Sequence, residues 1–522
     1  MPDQPRRNVL FITADQWRGD SLSALGHPCA ATPHLDALAA DGVLFRSHYT
    51  QSSPCGPSRT SLLTGLYQMN HRSVQNGTPL DARHSTLALE ARKAGYDPVL
   101  FGYTDTSPDP RQRPPGDPAL LTYSGVLPGM STGCAMGEHL LPWRRELKTR
   151  GYDIPEPPLD IFKAAGRSAS ADGSFTAPHT VFSAEESDTA FIADRALHHL
   201  SLPAQEPWFL HLVFLRPHPP LIAPQPYNTL CNPKDVAPPR RAESVEREAA
   251  QHPYLAYLLS REKTVGYYAD QETSIQTLGE DRARALAATY YGLIAEVDHH
   301  VGRILGFLKD SGQYDDTLIV FTSDHGEMLG NHWLWGKDGY FDDAFHIPLI
   351  LRDPRPEAAA GRGRILDAFT EAVDLAPTVL EWLGLEVPPA YDGRSLLPFL
   401  EGEAPAGWRS EAHWEFDFRD VVDGSPERAL GLTRDECSLN VIRGRRYKYV
   451  HFAALPPLLF DLEEDPGETR NLARDPALQP VLLEMAQKML SWRMVHDERV
   501  LTNTLLTAQG IVEHRGPRHG RS

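Results

Sequence analysis

Two short apolar runs predict strands that are buried on both faces. Residues 9–13 (Val-Leu-Phe-Ile-Thr) and 317–322 (Thr-Leu-Ile-Val-Phe-Thr) are largely apolar rather than alternating, which is typical of strands in a parallel sheet. Asp15 follows the first run closely, and Asp324 follows the second. Because ligands of open α/β sheets bind at the carboxyl ends of the strands, we expect both carboxylates to face a functional site.

Helical spacing of apolar residues separates such runs. Ala, Leu, Ile and Val recur with a helical period between residues 280 and 309. Residues 374–384 predict a short helix, with an Asp cap, Pro in the first turn and Gly just past the end. Strand, helix and strand in succession predict an α/β fold, with a large, mostly parallel sheet flanked by helices.

The pattern changes beyond residue 400. Shorter strand-like pieces at residues 447–452 and 458–462 are followed by a helix around residues 478–494. We therefore expect a catalytic domain over residues 1–400, and a smaller C-terminal α+β domain with a tail over residues 401–522.

Two regions of the expected catalytic domain are less regular. Residues 105–185 are rich in Pro, Gly and Ser, and residues 223–280 carry a Pro-rich stretch followed by a charged one. Both are predicted to be insertions over the scaffold, acting as a lid or as a subunit contact. The polar, basic end at residues 514–522 is expected to be mobile unless it binds a neighbouring subunit.

Charge and cysteine content narrow the range of partners. The chain has 522 residues and a formal net charge of −18, which repels nucleic acid and anionic membrane surfaces. Its five cysteines are scattered without a C-x-x-C pair, which argues against a disulfide framework or a zinc site of thiolates. The polar start and the short apolar run after it differ from a secretory signal peptide. We expect a cytoplasmic protein that binds an anionic small molecule, with no nucleic-acid or membrane partner.

Cys55 stands directly before a predicted helix at residues 57–64. A helix N-terminus offers free backbone N–H groups and the positive end of the helix dipole, which together suit an anion. Arg59 lies four residues after Cys55, and this spacing places the thiol and the guanidinium on one helix face. A buried cysteine beside a structural arginine is the alternative, and the spacing alone does not exclude it.

The sequence around Cys55 carries a family likeness. Residues 55–65 read Cys-Gly-Pro-Ser-Arg-Thr-Ser-Leu-Leu-Thr-Gly, which resembles the signature of type I sulfatases, members of the alkaline phosphatase superfamily. The resemblance extends through residues 8–16, 32–36, 95–96, 322–327, 336–337, 392–395 and 462–466. Within the family, the likeness is greatest to phosphonate monoester hydrolases, and it rests on residues 55–57, 74–76, 216–220, 323–325 and 415–420. The resemblance implies an alkaline-phosphatase-like fold.

The resemblance also implies that Cys55 is oxidised after translation to formylglycine. A formylglycine-generating enzyme must then recognise the residues around Cys55. The hydrated aldehyde carries two hydroxyls on one carbon, so that one attacks phosphorus or sulfur and the other expels the bound group. Because different groups leave by the same C–O cleavage, this chemistry predicts broad substrate tolerance.

A divalent metal ion is the second implied cofactor, bound by Asp15, Asp324, His325 and the modified Cys55. Related sulfatases have a second Asp where Gln16 stands, and Asp-Asn in place of Asp-His, with calcium bound. Two carboxylates, an imidazole and the formylglycine oxygen suit a transition ion better than Ca²⁺, which prefers more oxygen ligands. We expect Mn²⁺, with Zn²⁺, Fe²⁺ and Ca²⁺ as alternatives. Taken alone, Asp-His after a strand also fits a simple cap with a hydrogen-bonded imidazole.

The remaining site residues come from the same resemblance. It implies catalytic roles for Cys55, Arg59, His218 and Lys337, and substrate binding by Gln16, Asn76 and Tyr103. Lys337 and Arg59 would offset negative charge beside the nucleophile. His218, flanked by prolines, would protonate the leaving oxygen. Taken singly, a Lys or an Arg is more often a solvated surface charge.

Asp105 departs from the related hydrolases, in which we expect Thr at this position. An added carboxylate near a phosphoryl site disfavours a dianionic substrate and favours a monoanion. We therefore expect a preference for singly charged esters, and we leave Asp105 outside the expected site.

These features predict a formylglycine- and metal-dependent hydrolase of phosphonate monoesters and phosphodiesters that also accepts sulfate monoesters. An arylsulfatase is the nearer alternative, because both enzymes use the same nucleophile. If Cys55 stays unmodified, the alternatives are a metal-dependent phosphodiesterase of low activity and a binding protein. We expect a homo-oligomer, either a tetramer or a dimer.

Overall fold

The computed structural model describes residues 7–202, 207–261, 274 and 278–513. The strands of this described part are β1 (Asn8–Ala14), β2 (Val43–Tyr49), β3 (Pro98–Gly102), β4 (Ser131–Ala135), β5 (Gly166–Ala169), β6 (Thr176–His179), β7 (Phe209–Phe214), β8 (Thr317–Ser323), β9 (Leu349–Arg352), β10 (Arg364–Glu371), β11 (Ala412–Asp417), β12 (Ser438–Arg443), β13 (Tyr447–Phe452), β14 (Leu458–Asp461), β15 (Thr504–Thr507) and β16 (Gly510–Glu513).

The α-helices of the same described residues follow in chain order. They are α1 (Pro33–Ala40), α2 (Cys55–Thr64), α3 (Gln68–His71), α4 (Leu87–Lys93), α5 (Leu141–Thr149), α6 (Asp188–Ser201), α7 (Val245–Ala249), α8 (Pro253–Ser260), α9 (Glu280–Asp310), α10 (Asp342–Phe345), α11 (Leu375–Trp382), α12 (Leu397–Leu400), α13 (Ser425–Leu430) and α14 (Gln479–His496).

A sheet of eight strands forms the centre of the molecule, in the order β10-β2-β9-β8-β1-β7-β3-β4. Among these strands β9 alone is antiparallel to its neighbours, so the expected mixed, mostly parallel sheet is confirmed. Strand β1 pairs with β7 on one side and β8 on the other. Its register joins Ala14 to Ser323, so β1 and β8 end at the same level, where Asp15 and Asp324 follow.

Both faces of β1 are buried, as its apolar sequence predicts. Leu10 and Ile12 belong to a core that includes Val297 of α9. Val9 and Phe11 point to the opposite face, in a core formed with helices α2 and α11. Because successive side chains of a strand point to opposite faces, an apolar run of this kind requires helices on both sides of the sheet.

The two helices predicted between residues 280–309 and 374–384 are present as α9 and α11. The expected cap of α11 differs, because the Asp374 carboxylate makes no capping hydrogen bond to the helix N-terminus. Asp374 instead pairs with Arg409, and accepts hydrogen bonds from the backbone N–H groups of Glu371 and Arg394. Arg409 lies outside residues 374–384, so the sequence pattern of that segment could not indicate this pairing.

The C-terminal part contains the shorter elements expected there. Strands β11 to β14 form an antiparallel sheet of four strands, and α14 packs on it. The sheet also shares a core with the rest of the molecule, because Trp414 of β11 stacks on Tyr49 of β2 with 5.5 Å between ring centroids. A domain boundary at residue 400 stays a prediction.

The two irregular regions contain regular elements. Residues 105–185 include β4, at the edge of the main sheet, and the β5–β6 hairpin. Residues 223–280 include α7 and α8 and then continue into residues outside the described part, as does the tail at residues 514–522. The roles predicted for these segments stay predictions. Within the described residues, no helix is both long and apolar enough to cross a membrane.

Candidate active site

Four neighbouring parallel strands bring the predicted site residues to one edge of the main sheet. Asp324 and His325 follow β8, and Asp15 and Gln16 follow β1, while residues that follow β7 and β3 supply His218 and Tyr103. The strand order β8-β1-β7-β3 therefore assembles residues that are about 310 positions apart in the sequence.

Helix α2 carries Cys55 to this edge. The helix begins at Cys55, two residues before the predicted start at residue 57. All ten of its residues are buried, and the Ser58 hydroxyl donates a hydrogen bond to the Asp324 carbonyl. The first turn of α2 is thereby held against the end of β8, with Cys55 beside Asp15 and His325.

Asp15, Cys55, Asp324 and His325 form a buried cluster with the donor set of a metal site. One ligand atom from each residue lies within 4.8 Å of the others. The His325 Nε2 atom lies 3.2 Å from the Cys55 Sγ atom and 3.6 Å from a carboxylate oxygen of each Asp. The His325 Nδ1 atom is 3.1 Å from the Gly326 carbonyl oxygen, which only accepts. Nδ1 therefore carries the proton, and Nε2 offers a lone pair to a cation.

Arg59 joins the two carboxylates of the cluster. Its guanidinium donates to the Asp324 Oδ2 atom at 2.9 Å and to the Asp15 Oδ2 atom at 2.8 Å. A third hydrogen bond, 2.7 Å long, goes to the Tyr103 carbonyl oxygen, and the Tyr103 hydroxyl in turn donates to Asp15 at 2.6 Å. The fork of Arg59 fixes the relative position of β1, β3 and β8, since its planar donors match carboxylate geometry.

The unmodified Cys55 side chain is a protonated thiol. Burial, and then the charge of Asp15, raise the pKa of Cys55 far above its usual range. The Lys337 Nζ atom, 3.0 Å from Sγ, opposes this effect but does not overcome it. Since the thiolate is the nucleophilic form of cysteine, the native thiol is a poor nucleophile here.

Lys337 is held in place through Gln16. The Lys337 Nζ atom donates to the Gln16 Oε1 atom at 3.2 Å, and the Gln16 amide nitrogen donates to Glu327. Burial opposes the charge of Lys337, but Cys55, Asp15 and Asp324 together raise its pKa. Lys337 is therefore an ammonium ion beside the nucleophile position, and Gln16 is buried behind it.

Glu327 is a buried residue of the site that the sequence analysis did not single out. Its Oε1 atom accepts hydrogen bonds from the backbone N–H groups of Leu329 and Gly336, while its Oε2 atom accepts from Gln16. Glu327 thus connects β1 to the loop that carries Lys337. The only available signal was its place in residues 322–327, which resemble the sulfatase family.

A cavity of about 270 Å³ opens above the cluster. Six of the predicted site residues lie on its wall, namely Asp15, Cys55, Asn76, Tyr103, His218 and Lys337. Gln16, Arg59, Asp324 and His325 lie behind this wall, where they hold the others in place. The structure therefore brings together every predicted site residue, while the individual roles stay predictions.

His218 is a neutral imidazole in the free protein. Burial, and then the charge of Lys337, lower the pKa of His218 to about 3. Its Nδ1 atom lies 2.7 Å from the Pro219 carbonyl oxygen and so carries the proton of the neutral ring. Arg216 donates to the carbonyl oxygens of His218 and Pro220, and pairs with Asp188. The predicted protonation of a leaving oxygen requires a second proton, which a bound anion would favour.

Asn76 and Tyr103 shape the cavity wall beside Cys55. The Asn76 Oδ1 atom accepts a hydrogen bond of 2.8 Å from the Gly56 backbone N–H. The side-chain amide nitrogen of Asn76 therefore points away from Gly56. Gly102 places Tyr103, because the chain turns there at φ +118° and a Cβ would lie 2.5 Å from the Val213 carbonyl oxygen.

Asp105 also lies on the wall of the cavity, although it was left outside the expected site. Its backbone is left-handed, with φ +48°, and its carboxylate accepts a hydrogen bond of 3.0 Å from Ser124. Burial, opposed by Arg59 and reinforced by Asp15, raises the pKa of Asp105 to about 6. Asp105 therefore adds a negative charge to the cavity at neutral pH.

The sequence matches two family models. The model described as Sulfatase matches residues 7–385, which is more than half of the chain. The chain belongs to the sulfatase family. A second model, described as N-sulphoglucosamine sulphohydrolase, C-terminal, matches residues 330–495 of this sulfatase-family chain. Membership makes the protein a hydrolase of ester bonds, and the family implies a divalent metal and formylglycine, for which the buried cluster provides a fitting donor set.

Known relatives of this sulfatase-family protein extend the match over nearly its whole length. The "Multifunctional alkaline phosphatase superfamily protein PehA" of Trinickia caryophylli is 45% identical over 511 residues, covering 97% of this chain and 99% of that protein. The structure of the phosphonate monoester hydrolase of Agrobacterium radiobacter has a TM-score of 0.92 and 48% identity, covering 98% of this chain and all (100%) of that one. Phosphonate monoester hydrolase SpPMH of Silicibacter pomeroyi has a TM-score of 0.90 and 42% identity, covering 99% and 100%. The predicted family and fold are confirmed.

Proposed function

We propose that this protein hydrolyses phosphonate monoesters and phosphodiesters with a formylglycine derived from Cys55 and a bound divalent metal ion, and accepts sulfate monoesters as side substrates. The observation that carries the proposal is the position of Cys55 at the cavity wall. Its Sγ atom lies 3.0 Å from the Lys337 ammonium and 3.2 Å from the lone pair of His325. A nucleophilic hydroxyl on the side-chain carbon of residue 55 would attack the substrate beside the Lys337 ammonium and the metal site.

Different residues of the site would bind the metal, neutralise the phosphoryl group and contact the rest of the substrate. Asp15, Asp324, His325 and the formylglycine hydroxyl would hold the metal, which when bound supplies Lewis acidity toward a phosphoryl oxygen. Lys337 would neutralise a second phosphoryl oxygen, and Gln16 keeps its ammonium aimed at the nucleophile. Arg59 would act from behind by fixing the two ligand carboxylates. Asn76 and Tyr103 would contact the substrate from the cavity wall.

Mn²⁺ is the metal we propose for this site. Two carboxylates, one imidazole and one hydroxyl oxygen form a mixed donor set with few oxygen ligands, which suits a transition ion. Zn²⁺, Fe²⁺ and Ca²⁺ are the alternatives that elemental analysis of the purified protein separates.

The preference among substrates follows from the charge on the cavity wall. Lys337 is the one cationic side chain among the described residues of the wall, whereas Asp15, Asp105 and Glu138 carry negative charge. A phosphate monoester is a dianion near neutral pH, and beyond the metal ion and Lys337 its second charge would meet carboxylates rather than a further cationic side chain on the wall. Singly charged phosphonate monoesters, phosphodiesters and sulfate esters fit this balance.

An arylsulfatase is the second candidate, because the Sulfatase model itself matches residues 7–385. A panel of p-nitrophenyl esters on metal-reconstituted protein separates the two. We expect kcat/KM for the phosphonate monoester and the phosphodiester to exceed that for the phosphate monoester by about tenfold or more. This factor corresponds to ~1.4 kcal/mol less stabilisation of the transition state when the second charge is not compensated. A sulfate ester that reacts fastest would favour the arylsulfatase, and a phosphate monoester that reacts fastest would refute both.

Maturation, location and assembly are part of the proposal. A formylglycine-generating enzyme would be a partner during synthesis, because the aldehyde must be installed on Cys55. We propose a cytoplasmic location, which suits a protein whose five cysteines are all free.

We also propose a homo-oligomer, a tetramer or a dimer, since Leu483, Leu490 and Met494 leave an apolar stripe exposed on α14.

A further inference from the structure

The wall of the cavity above Cys55 carries charges of both signs. At the inner end, the Lys337 ammonium lies 3.0 Å from the Cys55 Sγ atom, next to the metal-binding cluster. The same wall carries the carboxylates of Asp105 and Glu138, and Asp105 lies beside the first turn of α2, where its carbonyl oxygen would be 3.0 Å from a Cβ on Gly56. The charge of Arg59 opposes the rise that burial causes in the pKa of Asp105, but the buried guanidinium donates its hydrogen bonds to the two carboxylates of the cluster and to the Tyr103 carbonyl oxygen.

Asp105 presents one carboxylate oxygen to the cavity. The residue is only 6% exposed, and it lies on the cavity wall. Ser124 donates to its Oδ1 atom at 3.0 Å, and within the described part of the chain no donor reaches its Oδ2 atom. The Oδ2 atom is open to the space of the cavity, where it can accept a hydrogen bond from a ligand or pair with a cation.

The surroundings of Asp105 suit an organic cation. Tyr123 is half-buried on the same wall, and burial followed by the charges of Asp105 and Glu138 raises its pKa. Glu138 is exposed at the rim, where no ion pair within the described residues neutralises it. The aromatic ring of Phe162 and aliphatic side chains complete this part of the wall. The Arg216 guanidinium already lies over the Phe162 ring, 4.6 Å from its centroid, so Tyr123 is the ring left to face a cation beside the two carboxylates.

We propose that the preferred substrates are zwitterionic, with an ammonium group on one arm of the phosphorus ester. The inference rests on the proposed function, because it takes the phosphoryl group to the metal site and Lys337. With His218 at the leaving oxygen, Asp105 and Tyr123 face the arm that remains on phosphorus. Asp105 then receives the ammonium group, and Glu138 attracts it at the rim.

Two p-nitrophenyl phosphodiesters of equal shape test the proposal on the metal-loaded, full-length protein. The second arm is 2-(trimethylammonio)ethyl in one ester and the uncharged 3,3-dimethylbutyl group in the other. We expect kcat/KM to be about tenfold higher for the cationic ester, as for a desolvated cation beside a carboxylate and an aromatic ring. The readout is the ratio of the two kcat/KM values, so that a general loss of activity cancels.

Three variants assign the effect to the proposed residues. In Asp105→Asn the ratio should fall close to one, and in Glu138→Gln it should fall by about two- to threefold, since an exposed charge is screened by solvent. Glu138→Lys should lower the ratio of the two kcat/KM values further. Because Glu138 is exposed, this variant tests the proposal even if Asp105→Asn does not fold. Asp435→Asn is the matched control, because Asp435 is an exposed carboxylate paired with Arg419, far along the chain from the cavity residues, and its ratio should stay at the wild-type value.

A wild-type ratio of one or less would overturn the proposal, as would a wild-type ratio in both Glu138→Lys and Asp105→Asn. These outcomes differ from a failure of the proposed function, in which neither phosphodiester is hydrolysed while a sulfate ester or a phosphate monoester is. Hydrolysis of both phosphodiesters at equal rates therefore refutes the zwitterionic class and leaves the hydrolase assignment standing.

Discussion

Cys55 shows at the scale of one residue why the unmodified thiol is a poor nucleophile here. The side chain is buried beside Asp15, and its pKa is raised, so the thiol does not ionise near neutral pH. A hydrated aldehyde at the same carbon would supply hydroxyl nucleophiles without a thiolate. Lys337, 3.0 Å from the Sγ atom, is the side chain that would stabilise a developing anion at this position.

The peptide that contains Cys55 should therefore be about 18 Da lighter than its thiol form, as the conversion of a thiol to an aldehyde requires. Peptide mass analysis of purified, active protein measures this difference. Protein made in a host that lacks the modifying enzyme should carry mostly the thiol and be almost inactive. Full activity in a preparation that contains only the thiol would refute the proposed nucleophile.

Asp324 and His325 allow a test of the metal site. Replacing either residue by Ala removes one ligand from a site that has few, so the metal-to-protein ratio and kcat/KM should fall together, by about tenfold or more. Elemental analysis after dialysis gives the ratio. Asp367→Ala is the control, since Asp367 is exposed and pairs with Arg46. An unchanged metal content in both ligand variants would contradict the assignment.

At the scale of elements, α9 places a buried carboxylate behind the loop that carries His218. Glu296 lies on α9, near Asp188 at the start of α6 and near Arg216. Burial, and then the charge of Asp188, raise the pKa of Glu296 from 4.5 to about 8, while Ser187 and Arg216 oppose the shift. Among the described residues, the Glu296 Oε1 atom has no hydrogen-bond partner. The carboxyl group is therefore neutral in the folded protein at pH 7.

This raised pKa makes stability depend on pH. The folded state binds the proton more tightly than the unfolded state, so the stabilisation is complete below about pH 4.5 and is lost as pH rises through about 8. In Glu296→Gln this dependence disappears, and the variant should gain on the order of a few kcal/mol relative to wild type between pH 5 and pH 9. Melting temperatures at the two pH values measure the change.

Glu280→Gln, at the exposed start of the same helix, is the control for this measurement. Its melting temperature should differ from that of wild type by the same amount at both pH values. If Glu296→Gln behaves like Glu280→Gln, Glu296 is ionised in the folded protein and the argument from burial is wrong.

At the scale of the whole molecule, α14 has two apolar faces. Met485, Met489 and Trp492 are buried against the protein. Leu483, Leu490 and Met494 form an outer stripe on the other side and are 57%, 60% and 63% exposed. Apolar side chains at this spacing leave a continuous apolar surface, which is typical of a contact between copies of a chain.

The double variant Leu490→Glu and Met494→Glu should therefore dissociate the proposed homo-oligomer into smaller species, because it places charges in the apolar contact. Light scattering coupled to size-exclusion chromatography gives the mass. Ser491→Glu adds a charge on an exposed position of the same helix, about a quarter-turn away from Leu490 and so beside rather than within the outer stripe, and should leave the mass of the assembly unchanged. A monomeric wild-type protein would refute the proposed assembly, and a double variant of wild-type mass would place the contact elsewhere.

The sequence by itself determined several elements of this protein and its family. Apolar runs at residues 9–13 and 317–322 fixed two buried strands, because only a sheet covered on both faces can bury such runs. The residues around Cys55 identified the family, since a local signature needs no tertiary information to be recognised. Short C-terminal elements at residues 447–462 were also visible as local patterns.

Only the tertiary structure decided which distant groups meet. Arg59 binds carboxylates from two strands, Glu327 orients Gln16, and Asp105 lines the cavity, although nothing in the local sequence of any of them indicates its partner. The start of α2 at Cys55 and the pairing of Asp374 with Arg409 were decided in the same way. The physical reason is that hydrogen bonds and charges act across space, so burial and the order of strands, rather than spacing along the chain, determine the pKa values and the positions of these groups.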